Sequence, residues 1–382
     1  MKLSSWPKYQ NKEIISALKI LKSGKVNYWT GKENKNFEKQ FQKYFNVKHA
    51  VTVANGTAAL YLAVKVLNLK KNSEILVTPR SYFASASCIL MNDCKTKFTD
   101  IDLATQNISV EALEKNISNK TKAIICVHLN GYPCDMEKIM KIAKKNNIFV
   151  IEDCSQAHGA MIKNKHVGSF GDIGVWSFCQ DKIISTGGEG GMISTKNTSF
   201  YKKIWSMKDQ GRNIDKVGQS KNNKFQYLHD YLGLNLRMTE VQAKLGSIQL
   251  LSLNDTIKKR NFNANLIINF LKKYSDIFDI LKIKKNYKHA YYRLCVPLNI
   301  SKKKINDLLN QCSKKKIEIY SGPCPEIYKE KIFKKNLRNK FFLKNANYLS
   351  GRTVSFLVDQ TISKKKMKTY LKKLEFIIDK IK

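Results

Sequence analysis

The 382-residue chain carries 69 lysines and arginines against 30 aspartates and glutamates, a formal net charge of +39, and 43% of its residues are hydrophobic. This length is enough for a large domain and a smaller one. No apolar run is long enough to cross a bilayer, and the first residues lack the apolar core of a secretion signal, so we expect a cytoplasmic protein. The basic residues are mostly lysines spread along the whole chain, which argues against a dedicated nucleic-acid surface.

Nine cysteines lie at positions 88, 94, 126, 134, 154, 179, 295, 312 and 324. They form no Cys-x-x-Cys pair and follow no close spacing, which excludes a disulfide scaffold and a zinc ribbon. We expect reduced thiols, most of them small core residues, and no metal site.

Between residue 50 and about 195, short apolar runs alternate with amphipathic stretches. The runs predict strands at 50–53, 74–78, 97–99, 123–127, 149–152, 173–178 and 191–194. Helical periodicity predicts helices at 57–69 and 136–145. This alternation is typical of a mostly parallel sheet covered by helices, whose ligands bind at the carboxyl ends of the strands.

From about residue 240 the pattern changes. Helices are predicted at 239–253, 258–273, 302–314 and 361–381, with strand-like segments at 291–297 and 354–357. We therefore expect a large α/β domain over residues 1–250, including an N-terminal segment, and a smaller α+β domain over residues 251–382.

The segment 55–60 follows the first predicted strand and opens a helix. Backbone amides and the helix dipole bind phosphate at such a junction. Gly56 permits close approach, and Thr57 adds a hydroxyl donor. An ordinary helix cap is the alternative.

An aromatic pair, Tyr82 and Phe83, follows the second predicted strand and is preceded by Arg80 and Ser81. An aromatic ring at this edge of the sheet could stack on a bound cofactor. The alternative is an ordinary core aromatic.

The apolar run 149–152 delivers the carboxylate of Asp153 to the end of a strand. An anion there can keep the ring nitrogen of a bound cofactor protonated. Glu152 should face the other way, because side chains alternate along a strand. Metal binding or helix capping by Asp153 are the alternatives.

Lys182 follows the predicted strand 173–178 and precedes the glycine-rich stretch 187–191. Partial burial and a nearby cationic cofactor can lower the pKa of such a lysine and free its amine to form a Schiff base. The glycines allow a tight turn at the cofactor, and they do not match a Walker phosphate loop. In so lysine-rich a chain, only this context singles out Lys182.

Read together and in order, these segments resemble the DegT/DnrJ/EryC1/StrS family of aminotransferases, which use pyridoxal 5'-phosphate (PLP) and act on nucleotide-linked keto sugars. The resemblance covers nearly the whole chain. It rests on the motifs at 55–57, 152–159, 177–182, 187–191 and 233–240. It implies an α/β fold of the PLP-dependent transferase fold type I, which is aspartate-aminotransferase-like, with a large domain around a mixed, mostly parallel sheet and a smaller C-terminal α+β domain.

The resemblance also implies roles at matching positions. Lys182 would hold PLP as a Schiff base and later shuttle a proton, and Asp153 would pair with the pyridine nitrogen. The other implied cofactor contacts are Gln156 and Tyr82 at the ring, Gly56, Thr57 and Ser177 at the phosphate, and Asn235 at a phosphate across a dimer interface. The enzyme would then be an obligate homodimer with shared active sites.

The implied reaction moves an amino group from a donor, usually L-glutamate in the family, to the keto carbon of a nucleotide-diphosphate sugar. The product would enter amino-sugar and surface-polysaccharide biosynthesis. Three further residues, His128, His289 and Arg212, could meet the sugar or the diphosphate.

Two departures from the family pattern leave alternatives open. Family members commonly have a hydrophobic residue or Thr where Arg80 and Ser81 stand, so Phe83 is the alternative stacking residue. The residues before the lysine, Cys179-Gln180-Asp181, also differ. The alternative functions are a PLP-dependent sugar dehydratase, in which a histidine replaces the lysine, and a catalytically altered polyanion-binding or regulatory protein on the same scaffold.

Overall fold

The computed structural model describes residues 2–217, 226–334 and 342–381. Within these ranges the α-helices are α1 (Asn11–Ser23), α2 (Glu33–Phe45), α3 (Gly56–Lys65), α4 (Ala84–Leu90), α5 (Val110–Asn116), α6 (Met136–Lys145), α7 (Thr198–Lys208), α8 (Glu240–Leu251), α9 (Leu253–Leu271), α10 (Lys302–Lys314), α11 (Lys331–Lys334), α12 (Lys344–Leu349) and α13 (Lys364–Ile378). The strands are β1 (His49–Val53), β2 (Glu74–Val77), β3 (Lys95–Phe98), β4 (Thr121–Val127), β5 (Phe149–Asp153), β6 (Met161–Ile162), β7 (Lys165–His166), β8 (Ile173–Ser177), β9 (Gly191–Thr195), β10 (Tyr287–Lys288), β11 (Leu294–Pro297), β12 (Ile319–Ser321) and β13 (Thr353–Phe356).

The main sheet has seven strands in the order β1-β9-β8-β5-β4-β2-β3. Strand β9 runs antiparallel to both of its neighbours, β1 and β8, and the other four pairings, β8 with β5, β5 with β4, β4 with β2 and β2 with β3, are parallel. All seven strands predicted between residues 50 and 195 lie in this sheet, so the predicted mixed, mostly parallel sheet is confirmed. Strands β8 and β9 are buried along their whole length, as a sheet covered on both faces requires.

Two predicted helices, 136–145 and 302–314, have the predicted bounds. The prediction of one helix over 239–253 is wrong at its end. Ser252 leaves helical geometry with φ −99° and ψ 8°, so α8 ends at Leu251 and α9 starts at Leu253. The predicted helix 57–69 stops at Lys65, and Asn68 with a φ of 49° turns the chain away soon after.

The N-terminal helices α1 and α2 pack against α8. Helix α2 buries Phe37, Phe41 and Phe45 in a cluster with Trp176 and Phe178 of the main sheet. Helix α2 is therefore part of the core around the main sheet.

A second core surrounds the antiparallel sheet β11-β13-β12 and is formed by helices α9, α10 and α13. Leu3, from the other end of the chain, is buried in it. The predicted domain division between residues 250 and 251 falls at the end of α8 and stays a prediction. Within the ranges described, no helix combines the length and the apolar composition needed to span a membrane.

Arg80 links the main sheet to this second sheet. Its guanidinium is fully buried and donates to Gln106 Oε1 at 3.2 and 3.0 Å and to Thr353 Oγ1 of β13 at 2.8 Å. A planar guanidinium can reach both acceptors at once, whereas a lysine ammonium would meet at most part of this arrangement. Arg80, which departs from the family pattern, therefore holds the main sheet and the second sheet together.

We predict that Arg80→Lys lowers the free energy of unfolding by about 2 kcal/mol, because a buried acceptor loses its donor while the charge stays buried. Urea denaturation at neutral pH measures this. An unchanged unfolding midpoint and slope would mean that the Arg80 contacts contribute nothing to stability.

Candidate active site

A cleft of about 1000 Å³ opens at the carboxyl ends of the parallel strands of the main sheet. The loops after β1, β2, β5 and β8 form one wall, and residues 292–293 and 321–324 with Ser355 close the cleft from the second sheet. The structure brings together seven of the predicted site residues here: Gly56, Thr57, Tyr82, Asp153, Gln156, Ser177 and Lys182. Asn235 lies outside the cleft, exposed on the surface and bridged to Asp209.

One end of the cleft is suited to an anion. Asn55 caps α3 by accepting the amide of Ala58 at 2.8 Å, and the first-turn amides of a helix have no acceptor within the helix. A Cβ on Gly56 would lie 2.6 Å from the Cβ of Ser177, so only glycine lets β8 approach this helix end. The hydroxyls of Thr57 and Ser177 stand beside these amides, which gives a donor-rich pocket for phosphate.

Asp153 presents its carboxylate at the floor of the cleft. Its side chain is almost fully buried, accepts the hydroxyl of Ser85 at 2.8 Å on Oδ2, and accepts the amide of Ser155 at 3.1 Å on Oδ1. Ser85 in turn contacts the hydroxyl of Ser81 at 2.9 Å. These contacts fix the direction of a charged group at low dielectric, where it can pair strongly with a cation.

Glu152 points to the opposite face of β5, as predicted from strand alternation. Its buried carboxylate accepts Nε2–H of His128 at 3.1 Å and the amides of Gly168, Phe170 and Gly171 at 2.7 to 2.8 Å. The amide of Cys134 donates to Nδ1 of His128, which places the ring proton on Nε2.

Glu152, His128 and Cys154 have potential ligand atoms within 4.8 Å of one another. The carboxylate oxygens are already used by four donors, so this cluster ties the strands and the 168–171 loop together. Burial alone would raise the pKa of Glu152, but the bonds from His128 and the backbone amides outweigh it and lower that pKa below its ordinary value.

The two aromatic candidates differ in their contacts. Phe83 packs edge-on against Phe333 at 5.8 Å between ring centroids, whereas the ring of Tyr82 is 70% exposed at the cleft. Gln156 lies across the cleft and accepts the amide of Asn130 at 2.7 Å. Tyr82 is therefore the ring with a free face for a ligand.

Lys182 ends at the centre of the cleft, with its side chain 15% exposed. Its Nζ lies 3.5 Å from Oδ1 of Asp181 and 4.7 Å from the centroid of the Tyr292 ring. The Tyr292 hydroxyl donates to Oδ2 of Asp181. Burial lowers the pKa of Lys182, but the neighbouring Tyr292 and Asp181 outweigh it and raise that pKa.

The histidines near the motifs do not face the cleft. His158 is buried between the rings of Trp176 and Phe178, and burial lowers its pKa to about 3. Burial also lowers the pKa of His289 to about 3, and His128 is committed to Glu152. Arg212 stacks on Trp29 away from the cleft. None of His128, His289 and Arg212 lines the cleft of this chain, and the expectation that they meet a substrate stays a prediction.

The sequence analysis missed Ser85 and Tyr292. Ser85 lies in the first turn of α4 and Ser81 lies four residues earlier, just before that helix, and this serine pair is a local signal that could have been used. Tyr292 lies more than a hundred residues from Asp181, so no local pattern connects them.

We predict that Glu152→Gln costs about 3 kcal/mol of unfolding free energy at neutral pH, because backbone amides would face an amide nitrogen and the buried carboxylate that accepts Nε2–H of His128 is lost. A carboxyl whose folded pKa is lowered stabilises the fold above its unfolded pKa, and this contribution is lost as the pH falls through the folded pKa. The difference between wild type and variant should therefore shrink below pH 4.5, the ordinary value for Glu152.

Urea unfolding at neutral and acidic pH measures this difference. Glu137→Gln is the matched control, because Glu137 pairs with Lys163 on the surface and should contribute less than about 1 kcal/mol. A penalty for Glu152→Gln that does not depend on pH would contradict the argument.

The family model described as the DegT/DnrJ/EryC1/StrS aminotransferase family matches residues 7–375. A GDP-perosamine synthase of Escherichia coli O157:H7 is 38% identical over 282 residues, which cover 74% of this chain and 74% of that protein. A dTDP-3-amino-3,6-dideoxy-alpha-D-galactopyranose transaminase of Aneurinibacillus thermoaerophilus is 36% identical over 266 residues, 69% of each chain.

The X-ray structure of an aminotransferase from Psychrobacter cryohalolentis superposes on the whole chain with a TM-score of 0.96. The sequences are 37% identical, and the match covers 100% of both chains. This likeness confirms the predicted fold class, the fold of PLP-dependent aminotransferases.

Proposed function

From the premise that the chain belongs to the DegT/DnrJ/EryC1/StrS aminotransferase family and is a sugar aminotransferase, we propose a specific reaction. The enzyme uses PLP to move an amino group from L-glutamate to the keto carbon of a nucleotide-diphosphate sugar. One observation carries the proposal. The amine of Lys182 and the buried carboxylate of Asp153 face the same cleft, beside the anion-binding end formed by Gly56, Thr57 and Ser177.

The donor set of the cleft fits PLP. The helix end at Gly56 and Thr57 with Ser177 suits the phosphate, and Asp153 suits a protonated pyridine nitrogen. Tyr82 and Gln156 flank the space between them and would lie against the ring. When bound, PLP supplies an aldehyde for an amine and a ring that accepts electrons from the substrate carbon.

The residues of this chain then have separate tasks. Lys182 would hold the cofactor covalently and, when released, carry a proton to and from the substrate carbon as general acid and base. Ser85 and the amide of Ser155 keep the carboxylate of Asp153 aligned opposite the ring. Residues 321–324 and Tyr292 cover the cleft from the second sheet and limit the access of water.

The substrate class is supported by the relatives and by the charge of the chain. Relatives that match over two thirds or more of their length are named for a GDP-linked and a dTDP-linked amino sugar. A net charge of +39 attracts a nucleotide diphosphate over distances of about 10 Å or less at moderate salt. We propose that the product serves the biosynthesis of a surface polysaccharide.

We also propose that the working unit is a homodimer. Asn235 is exposed outside the cleft of its own chain, which suits a residue that reaches a phosphate in the cleft of a second copy.

One prediction of the proposed function concerns Lys182. Wild-type protein mixed with PLP should develop a visible absorption band that excess L-glutamate removes. Lys182→Ala should never develop it, because Lys182 is the only lysine among the described residues that line the cleft. Borohydride reduction followed by peptide mass mapping should locate the cofactor on residue 182.

Lys258→Ala is the matched control, since Lys258 is highly exposed and remote from the cleft and its variant should behave like wild type. A wild-type protein that shows no band with PLP would overturn the proposed function.

The second prediction concerns the sugar substrate. Protein loaded with PLP and incubated with L-glutamate should release 2-oxoglutarate and then aminate a GDP-linked or dTDP-linked keto-deoxy sugar. Mass spectrometry should detect both 2-oxoglutarate and the amino sugar nucleotide. Release of water from the sugar without consumption of glutamate would instead indicate a dehydratase.

A further inference from the structure

Asp181 is a carboxylate directly before Lys182, and the proposed function gives it no task. Its Oδ1 lies 3.5 Å from Nζ of Lys182, and its Oδ2 accepts the hydroxyl of Tyr292. One oxygen therefore faces the lysine while the other is held from the second sheet. Each oxygen of the carboxylate therefore has its own partner in the cleft.

Tyr292 contributes more than this hydrogen bond. The Lys182 ammonium lies 4.7 Å from the centroid of its ring, within the range of a cation–π contact. The buried guanidinium of Arg260 donates to the carbonyl oxygens of Tyr291 and Tyr292 at 3.2 Å, which fixes the backbone behind the ring. Lys182 thus points between a fixed carboxylate and a fixed aromatic face.

Both neighbours favour the charged form of the lysine. The other titratable groups that act on Lys182, Asp181 or Tyr292 are Cys179, Arg293, Arg260 and His158. Arg293 and Arg260 are cations and oppose a protonated lysine, and burial keeps His158 neutral. Asp181 is the carboxylate in direct contact with Nζ, and together with Tyr292 it favours the protonated lysine.

Attachment of the cofactor requires the neutral amine of Lys182. The lysine nitrogen must first release its proton to solvent, and it then bonds to the aldehyde carbon with loss of one water. A contact that holds the ammonium therefore competes with attachment and stabilises the released lysine inside the cleft, where the proposed proton transfer requires it.

We propose that Asp181, fixed by Tyr292, is a positioning residue that receives the Lys182 ammonium whenever the lysine is not attached to the cofactor, and that it thereby sets the pH range in which this lysine reacts. The inference rests on the proposed function for its purpose, but its geometry can be tested on the cofactor-free protein.

The test measures the reactivity of Lys182 without PLP. Brief acetylation with acetic anhydride at a series of pH values, followed by peptide mass mapping, gives the pH at which residue 182 is half-reactive. Only the neutral amine takes the acetyl group, and acetate leaves. In Asp181→Asn this midpoint should fall by about one pH unit, because a unit charge within about 4 Å of the ammonium is removed.

Asp255→Asn removes the same charge on an exposed helix and should leave the midpoint at the wild-type value. The asparagine at 181 is close in shape to aspartate, and the position is 43% exposed, so the variant should keep the fold. In Asp181→Asn, the pH above which added PLP forms its absorption band should also shift to a lower value.

An unchanged acetylation midpoint in Asp181→Asn would overturn this inference and leave the proposed function standing. A shifted midpoint in a protein that never binds PLP would support the ammonium contact and overturn the proposed function instead.

Discussion

The parallel strands of the main sheet all end at one edge, and this geometric constraint determines where chemistry can occur. The ends of β1, β5 and β8 deliver the helix terminus at Gly56, the carboxylate of Asp153 and the loop of Lys182 to the same cleft. Residues separated by more than a hundred positions thus meet without any long-range pattern in the sequence. The antiparallel strand β9 fits between β1 and β8 and keeps both of them pointing to that edge.

Two consecutive carboxylates on β5 show how the sheet divides its tasks. Because side chains alternate, Glu152 enters the core and Asp153 enters the cleft. Hydrogen bonds from His128 and from the amides of Gly168, Phe170 and Gly171 offset the desolvation cost of burying the Glu152 carboxylate. They also hold β5 in place on the face opposite the cleft. The direction of Asp153 therefore depends on a network that never touches a ligand.

The sequence predicted most of what is periodic or local. Apolar runs located all seven strands of the main sheet, and the motifs around Gly56, Asp153 and Lys182 indicated the cleft. The break at Ser252 could not be predicted, because the apolar spacing continues through it. Contacts between the two sheets were also out of reach. Arg80 was an unexplained departure until Gln106 and Thr353 were found beside it, and Tyr292 became visible only when the second sheet was placed over Lys182.

The charge of the chain and the charge of the site act over different distances. Most of the 69 lysines and arginines lie outside the cleft lining that the structure describes. Salt screens the field of an exposed charge beyond about 8–10 Å. Asp153 and Asp181 lie within contact distance of their partners in a partly buried site and are screened far less. A net charge of +39 can thus raise the local concentration of an anionic substrate, while the roles that we propose for Asp153 and Asp181 depend on contacts of a few ångström. For this reason a lysine-rich composition is compatible with one lysine whose charge is governed by its immediate neighbours, Tyr292 and Asp181.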